Sequence, residues 1–496
     1  MKNFTLISLV SLLVFASSSF AQPGSLDSSF SVDGKATTKG PGGTIAINTN
    51  GKIVGGGTYD NGSNQDIFLV MYLASGRVDN TFGVNGKVIT DFGNHEILKS
   101  VIFQPNGKIL VTGYTGYDII DPLVVRYNKN GTLDSSFGNN GKIITHLGAD
   151  NIGYAIAVQP DNKILVAGEW DRDYLLLRYL ANGKPDDSFG SKGVVRTSID
   201  VRDNGKSIIL QPDGKIVVAG ASNSGYPGDE NSFSLARYKP DGSLDTDFGD
   251  NGKVLTYVWT DGSLCNSAAI QSNGKFVTAG SDPYSGQSVM LRYTTTGKLD
   301  SSFGTNGIAN IPNSLSCSDK IIAIQTDDKI VVSGSSGGNF LLMRYKPNGS
   351  LDKSFGVNGK VVTDFGGNDR GYSVAIQADG KIVQSGESRG NFAIARFKED
   401  NNFNNSNSNF SGLQKKHILP DVYLSPNPVK NVLHIQGLSA NGRKTISIIN
   451  VYGKLLQRTV TANTAYSTDV KTLATGMYYI GIEENNKITR LKFIKE

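Results

Sequence analysis

Leu26-Asp27-Ser28-Ser29-Phe30-Ser31-Val32-Asp33-Gly34-Lys35 is the first copy of a phrase that returns along most of the chain. Its aromatic recurs as Phe82, Phe137, Phe189, Phe248, Phe303 and Phe355, at spacings of 52 to 59 residues. Self-similarity at such a period means stacked supersecondary units rather than one ordinary globular core.

Outward from this phrase, each repeat has the same contents. Ser373-Val374-Ala375-Ile376-Gln377 alternates at period two, the mark of a half-buried strand. Asp379-Gly380 then predicts a hairpin turn into the run 381–386. Asn391 to Phe397 makes a third strand, and elsewhere the phrase leads into a fourth, such as Gly359 to Thr363. Third strands carry Arg126-Tyr127, Arg178-Tyr179, Arg237-Tyr238, Arg292-Tyr293, Arg344-Tyr345 and Arg396-Phe397, whereas the first copy departs with Met71-Tyr72. Four strands per repeat of this length predict an all-β fold, a seven-bladed β-propeller of four-stranded blades. The chain enters on a fourth strand (Lys35–Thr38) and leaves its last repeat on a third (Asn391–Phe397). Pairing these two would close the ring and leave no free edge between first and last blades.

Two recurring phrases, L-D-x-x-F-G-x-x-G and Q-P-D-G-K-I-x-V-x-G (intact from Gln211 to Gly220), resemble the delta-60 repeat family of bacterial β-propellers over roughly residues 24–398. The resemblance implies the fold and no activity.

The two ends concern address. Met1-Lys2-Asn3, the apolar run Leu6–Phe15 and small residues up to Ala21 predict a signal peptide over 1–21, cleaved between Ala21 and Gln22. The propeller then spans 22–398, and the Asn- and Ser-rich stretch 399–419 reads as a flexible linker. Residues 420–496 leave the repeat and hold new β-rich runs, enough for a small C-terminal β-sandwich. Ser425-Pro426-Asn427-Pro428, Ile449-Asn450-Val451-Tyr452-Gly453-Lys454 and Leu473-Ala474-Thr475-Gly476-Met477-Tyr478-Tyr479 appear there in order. This tail resembles the type A C-terminal sorting domain of the type IX secretion system. The resemblance implies passage through the periplasm, recognition by that machinery, export across the outer membrane, and removal of the tail. Attachment to surface lipopolysaccharide or release would follow.

A formal net charge of +5 without a basic run argues against a nucleic-acid partner. The two cysteines, Cys265 and Cys317, precede the first strands of neighbouring blades; they either form a cross-blade disulfide or stand as separate thiols. None of His95, His146, His417 and His434 falls in a zinc pattern, no nucleophile elbow occurs, and no metal or cofactor is expected. Sialidase and quinone-enzyme repeat motifs are also missing. The repeated Asp27, Asp79, Asp134, Asp186, Asp245, Asp300 and Asp352 read as turn-fixing carboxylates that pair with the third-strand arginines.

Variation between repeats gathers on the face formed by the loops between second and third strands and the loops entering the first. Its aromatic and charged residues are Trp170, Asp171, Asp173, Tyr174, Tyr226, Asp229, Glu230, Trp259, Asp261 and Tyr284. Such residues on variable loops over a rigid scaffold build binding faces; loops that merely tolerate change are the other reading. The expected function is an exported cell-surface module that binds or adheres to an extracellular glycan or protein. A glycan-active hydrolase or lyase using acids of the same loops, and a structural surface-layer protein, are the alternatives.

Overall fold

The computed structural model describes residues 22–223, 232–258, 264–281, 287–312, 321–399, 423–425, 429–436, 438, 443–450, 455–474, 476–484 and 487–495. No helix occurs among them. Strands from Lys35 to Phe397 form seven four-stranded antiparallel sheets. Six are consecutive strands in order, beginning with Thr44–Ile47, Ile53–Asp60, Gln65–Tyr72 and Lys87–Thr90. The seventh takes three strands from the end of the repeats and its fourth from the start. Lys35–Lys39 pairs antiparallel with Asn391–Phe397, with Lys35 opposite Ala395 and Lys39 opposite Asn391.

Sheet faces, not sheet edges, hold the ring together. Each apolar cluster belongs to two neighbouring sheets. Leu69 of the first packs with Val111 and Leu123 of the second. Leu177 of the third packs with Leu110 and Val124 of the second. The cycle closes where Phe392 and Ile394 of the last sheet meet Ile45 and Phe68 of the first. The arrangement is a β-propeller, and the core is a set of walls between sheets.

The recurring phrase is the fastener of those walls. Its aspartate is buried and its phenylalanine fully so, and between them lies the third-strand arginine. Asp186 Oδ2 accepts from Arg178 Nε at 2.8 Å, and the guanidinium carbon stands 4.1 Å from the Phe189 ring centroid. The same three-residue contact recurs at Arg126, Arg237, Arg292, Arg344 and Arg396. Arg396 takes its aspartate and aromatic, Asp27 and Phe30, from the other end of the repeats. Nη1 of Arg126, Arg178, Arg237, Arg292 and Arg396 donates to a carbonyl in the next sheet, at Ala181, Pro240, Thr295, Pro347 and Ala74 respectively. The adjacent tyrosine faces the other way. Tyr127 and Tyr238 hydroxyls donate to Thr90 and Thr197 on the previous sheet at 2.9 Å each, and Tyr72 reaches Thr38 of the closing strand at 2.8 Å. The Arg-Tyr pair therefore grips one neighbour on each side. In the first sheet Met71 replaces the arginine, and Asp79 is held by Lys52 at 2.7 Å and by Thr81.

Burial by itself would raise the Asp186 carboxyl, but Ser188, Lys163 and Arg178 outweigh it and hold it well below the usual carboxylate range. Asp134 and Asp300 are held down in the same way.

The hairpin turns between first and second strands are three-residue loops with a left-handed third residue. Gly107 and Gly214 fill that position in their repeats, while Asn162 (φ 68°) and Asp328 (φ 64°) replace glycine in two others. Asn and Asp are the side chains that visit this region most readily.

In the tail, the expected runs at 432–435, 477–482 and 488–494 lie in strands Val432–Gln436, Gly476–Glu484 and Lys487–Lys495, and the run 445–451 lies in Lys444–Asn450 up to Asn450, Val451 being outside the described residues. Tyr423–Ser425, Leu455–Thr461 and Tyr466–Asp469 add strands that the sequence reading passed over. A three-stranded and a four-stranded sheet share one apolar cluster, with Leu433 and Ile435 against Ile446, Ile480 and Phe493.

Two outcomes follow from the fastening. Asp186→Ala leaves Arg178 buried without its carboxylate and should cost about 3–5 kcal/mol. Arg178→Met copies the natural Met71, leaves Asp186 on Lys163 at 3.0 Å, and should cost less. Urea midpoints at pH 7 check that order. Carboxyls held low add stability above their unfolded-state pKa of about 4; that share is lost as pH falls through the lower folded-state values. The gap between Asp186→Ala and the parent should therefore narrow below pH ~4. Separately, deleting residues 22–40 removes the closing strand, Asp27 and Phe30 together. Aggregation or a large drop in melting temperature is expected, and a truncated protein that melts like the parent would refute closure.

Candidate functional site at the channel mouth

The first strands of all seven sheets line one central cavity of about 520 Å³. What projects into it is decided by a local irregularity. Five first strands are bulged against their partners, between Leu98 and Ser100, Gly153 and Ala155, Gly205 and Ser207, Cys265 and Ser267, and Gly371 and Ser373. A bulge sets one extra residue free of the ladder and re-aims its side chain. Those residues are Lys99, Tyr154, Lys206, Asn266 and Tyr372. The first three line the cavity.

The bulge also explains the last glycine of the Q-P-D-G-K-I-x-V-x-G phrase. A Cβ on Gly168 would stand 1.8 Å from the Ile152 carbonyl oxygen, and one on Gly113 would stand 1.7 Å from that of Ile97. Only glycine lets the second strand close over a bulged first strand, so the phrase and the displayed residue belong to one device.

At the third sheet the displayed residues meet. Lys206 Nζ lies 3.1 Å from the centroid of the Tyr154 ring. Lys99 Nζ stands 6.0 Å from the same ring on the other side of the sequence order, and 5.8 Å from Tyr114. These are cation–π distances. The Tyr154 hydroxyl donates to Glu169 Oε2 at 3.4 Å. Burial raises the Glu169 carboxyl, while Lys206, Tyr154, Arg172 and Arg202 pull against it. Two ammonium groups and one phenol ring thus line the channel, with the Tyr114 ring and the raised Glu169 carboxyl behind them on the second strands. Such a set can take a ring-shaped polar ligand that carries negative charge.

Beside this cluster sits the one described loop that carries residues singled out on the expected face. Trp170 pairs with Asp173, leaving Asp171 (φ 46°) and Arg172 (φ 69°) as a two-residue turn with both residues left-handed. Arg196 from the fourth strand gathers the loop. Its guanidinium lies 5.2 Å from the Trp170 ring, it donates to Asp173, and Nη2 stands 3.5 Å from Asp171 Oδ2. Both acids are therefore ion-paired. Tyr174 is placed differently from the expectation of a ligand-facing group. It is fully buried, and its hydroxyl bonds Ser234 in the next sheet at 2.8 Å, because third-strand residues alternate into the wall between sheets. Tyr226, Asp229, Glu230, Trp259, Asp261 and Tyr284 lie outside the described residues, as does Ala21; Gln22 is the first residue described. Cys265 is buried, and its thiol, pushed up to about 12 by burial, lies 3.9 Å from the Ser267 carbonyl. Cys317, and with it the cross-blade disulfide, falls outside the described residues.

Lys99, Tyr154, Lys206 and Glu169 were not singled out from the sequence. The signal was available in the column between a first-strand glycine and the small residue after it: Gly153-Tyr154-Ala155, Gly205-Lys206-Ser207, Gly371-Tyr372-Ser373.

Comparison with known proteins agrees with this architecture. No curated protein matches the chain in sequence. Among solved structures, polysaccharide lyase Uly1 is similar at 11% identity and a TM-score of 0.43, over 73% of this chain and 90% of that one. Sqt1 from Chaetomium thermophilum is similar at 12% identity and a TM-score of 0.43, over 74% and 97%. Likeness at this level carries nothing about activity. Six stretches, 49–82, 104–137, 159–189, 211–248, 271–303 and 325–355, match the family described as "Domain of unknown function (DUF5122) beta-propeller". Residues 422–496 match the "Secretion system C-terminal sorting domain". The chain is thus a run of DUF5122 β-propeller repeats followed by a C-terminal sorting domain of the type IX secretion system, which marks it for export to the cell surface or beyond.

Proposed function

We propose that this exported propeller is a binding module, and that its ligand sits at the variable mouth of the central channel. The observation that carries the reading is the Lys206–Tyr154–Lys99 cluster beside Glu169 and the Arg196-braced Trp170 loop. Nothing in the fastening of the ring requires lysines there, since the walls are held by the Arg-Asp-Phe contacts. Cations over aromatic faces, next to an open channel, favour an extracellular glycan bearing carboxylate or sulfate groups. Its rings would stack on Trp170, and its charges would meet Lys99 and Lys206, which Tyr154 positions. After export, removal of the tail would leave the propeller attached to surface lipopolysaccharide or released.

A catalytic reading has one observation in its favour, the raised carboxyl of Glu169 beside the Tyr154 hydroxyl. Glycoside hydrolysis needs a second carboxyl at a set separation. The nearby candidates Asp171 and Asp173 are both engaged by Arg196.

An array of acidic and neutral glycans, probed with the mature protein, tests the proposal. Acidic glycans should bind, more weakly as salt rises. Lys206→Ala and Trp170→Ala should each lose affinity by about tenfold or more, since a buried contact of this kind contributes roughly 1.4 kcal/mol or more. Val357→Ser serves as control, because Val357 is exposed and lies in the recurring phrase, at the strand ends away from the loops between second and third strands. Equal losses from all three variants, or no bound glycan, would overturn the reading; turnover of a bound glycan would favour catalysis. Deleting residues 420–496 should leave the propeller folded but absent from the cell surface and medium, as fractionation and blotting would show.

A further inference from the structure

We propose that Asp66, Asp91 and Glu96 form a binding site for a hard divalent cation, Ca²⁺ being the ion that fits. The site is separate from the channel cluster. Asp66 lies in the strand Gln65–Tyr72, Asp91 follows the strand Lys87–Thr90, and Glu96 opens the strand Glu96–Phe103. Carboxylate oxygens from all three lie within 4.8 Å of one another. The first two residues belong to the first sheet and Glu96 to the second, so a shared ion would bridge two neighbouring sheets.

Three like charges at this distance need compensation, particularly when two of them are out of water. Asp66 is 3% exposed and Glu96 0%. Every hydrogen bond they receive comes from a neutral group. Asn61 donates to Asp66 Oδ2 at 3.0 Å, and Asn64 and the Gly93 amide donate to Asp91 Oδ1. The Phe92 amide and the Thr115 hydroxyl donate to Glu96 at 3.0 and 3.1 Å. Among the described residues no lysine, arginine or histidine forms an ion pair with any of the three carboxylates. Asp66 Oδ1 is buried and receives no hydrogen bond at all. A buried carboxylate oxygen left without a partner is costly.

The repeats supply an internal comparison. Between the second and third sheets the positions of Asp66, Asp91 and Glu96 are filled by Asp121, His146 and Asn151. There His146 Nδ1 meets Asp121 Oδ2 at 2.7 Å, so an imidazole stands where the first sheet has Asp91. Between the sixth and seventh sheets the same positions hold Asn339, Asp364 and Asp369. The Asn339 amide, in its better orientation, donates to Asp364 Oδ1 at 3.2 Å. Both relatives pack this corner without three acids, although Asp121 Oδ1 and Asp369 Oδ1 are likewise buried without a donor, so the distinguishing feature of the first sheet is its third carboxylate. The first sheet replaces the histidine by a third carboxylate source and leaves the charge unbalanced.

The donor set selects the ion. All three side-chain ligands are hard oxygens, with no thiolate or imidazole among them, which disfavours zinc and copper. Ca²⁺ accepts irregular sets of six to eight oxygens, including water. Asp91 is exposed, which gives an ion a path in and room for water ligands. Sites of this kind on exported modules bind Ca²⁺ with Kd on the order of 10⁻⁴–10⁻³ M.

The test uses the full chain, stripped with a chelator and titrated with CaCl₂ by calorimetry and thermal melting. The expected result is one bound ion in that affinity range and a melting temperature that rises with Ca²⁺. Asp91→Asn, at an exposed position, should fold normally and weaken binding by about tenfold or more. Asp91→His copies His146 of the second sheet. It should abolish binding and melt above the ion-free parent whether or not Ca²⁺ is added. A melt and a heat signal unchanged up to about 10 mM CaCl₂, well above the expected Kd, would overturn the proposal. So would an Asp91→Asn variant that binds like the parent.

Discussion

A guanidinium buried between an aspartate and a phenylalanine is the constraint on which the ring rests. Arg178 shows how much one side chain settles. Its Nε holds Asp186, its flat face covers Phe189, and its Nη1 reaches the Pro240 carbonyl of the next sheet. A buried ion pair yields little net stability against an apolar substitute, since desolvation offsets most of the attraction. Its value here is geometric. A planar donor with fixed directions can satisfy a carboxylate in its own sheet and a carbonyl in the next only at one relative placement. With Tyr179 and its counterparts bonded to the previous sheet, neighbouring sheets are set at a repeated angle from both sides. Closure follows, because Arg396 finds Asp27 and Ala74 waiting at the other end of the repeats.

A second constraint converts this regular frame into a surface that can differ from sheet to sheet. First strands face the channel, and a plain strand there would present small residues packed against their neighbours. The bulge opposite Gly113, Gly168, Gly220 and Gly386 releases one position per sheet from that packing. Its occupant can change without touching the walls. That is why Lys99, Tyr154, Lys206, Asn266 and Tyr372 differ so widely while the glycine facing them does not. The repeat therefore pays for variability once, in backbone, and uses it at each first strand where the bulge occurs.

The period of the phrase, the four strands of a repeat, the offset of the chain ends and the character of the tail were all legible in the sequence. Each rests on local patterns repeated many times. The Arg–Asp pairing was legible too, because both partners recur in register. What could not be read was direction. Tyr174 sits next to an exposed turn, yet strand alternation sends it into the wall. Tyr154 sits in the middle of a strand, yet a bulge turns it toward the channel. Sequence distance to a loop was a poor guide to exposure in both cases, since a single extra residue reverses which face a side chain takes. One of the tail strands was missed for a related reason. Tyr466–Asp469 is polar at most of its positions and is held by pairing with Val432–Gln436 rather than by its own apolar content.

Departures from the repeat carry the chemistry, and two in the first sheet show how to weigh them. Met71 removes a buried cation, but Lys52 holds Asp79 at 2.7 Å, as Lys108 and Lys275 hold Asp134 and Asp300, so the carboxylate keeps a cation and the change is structural. Asp91 stands where the next sheet uses His146, and here no cation among the described residues takes over. The channel meets only the first half of that test, since the Glu169 carboxyl lies near Lys206. Lys206 and Lys99 stand at positions that other sheets fill with tyrosine or asparagine, so no wall needs their charge. In a molecule built from copies, each copy states what the frame requires at a position. A charged group that the frame does not require, in surroundings that do not neutralise it within the chain, points to a partner outside the chain.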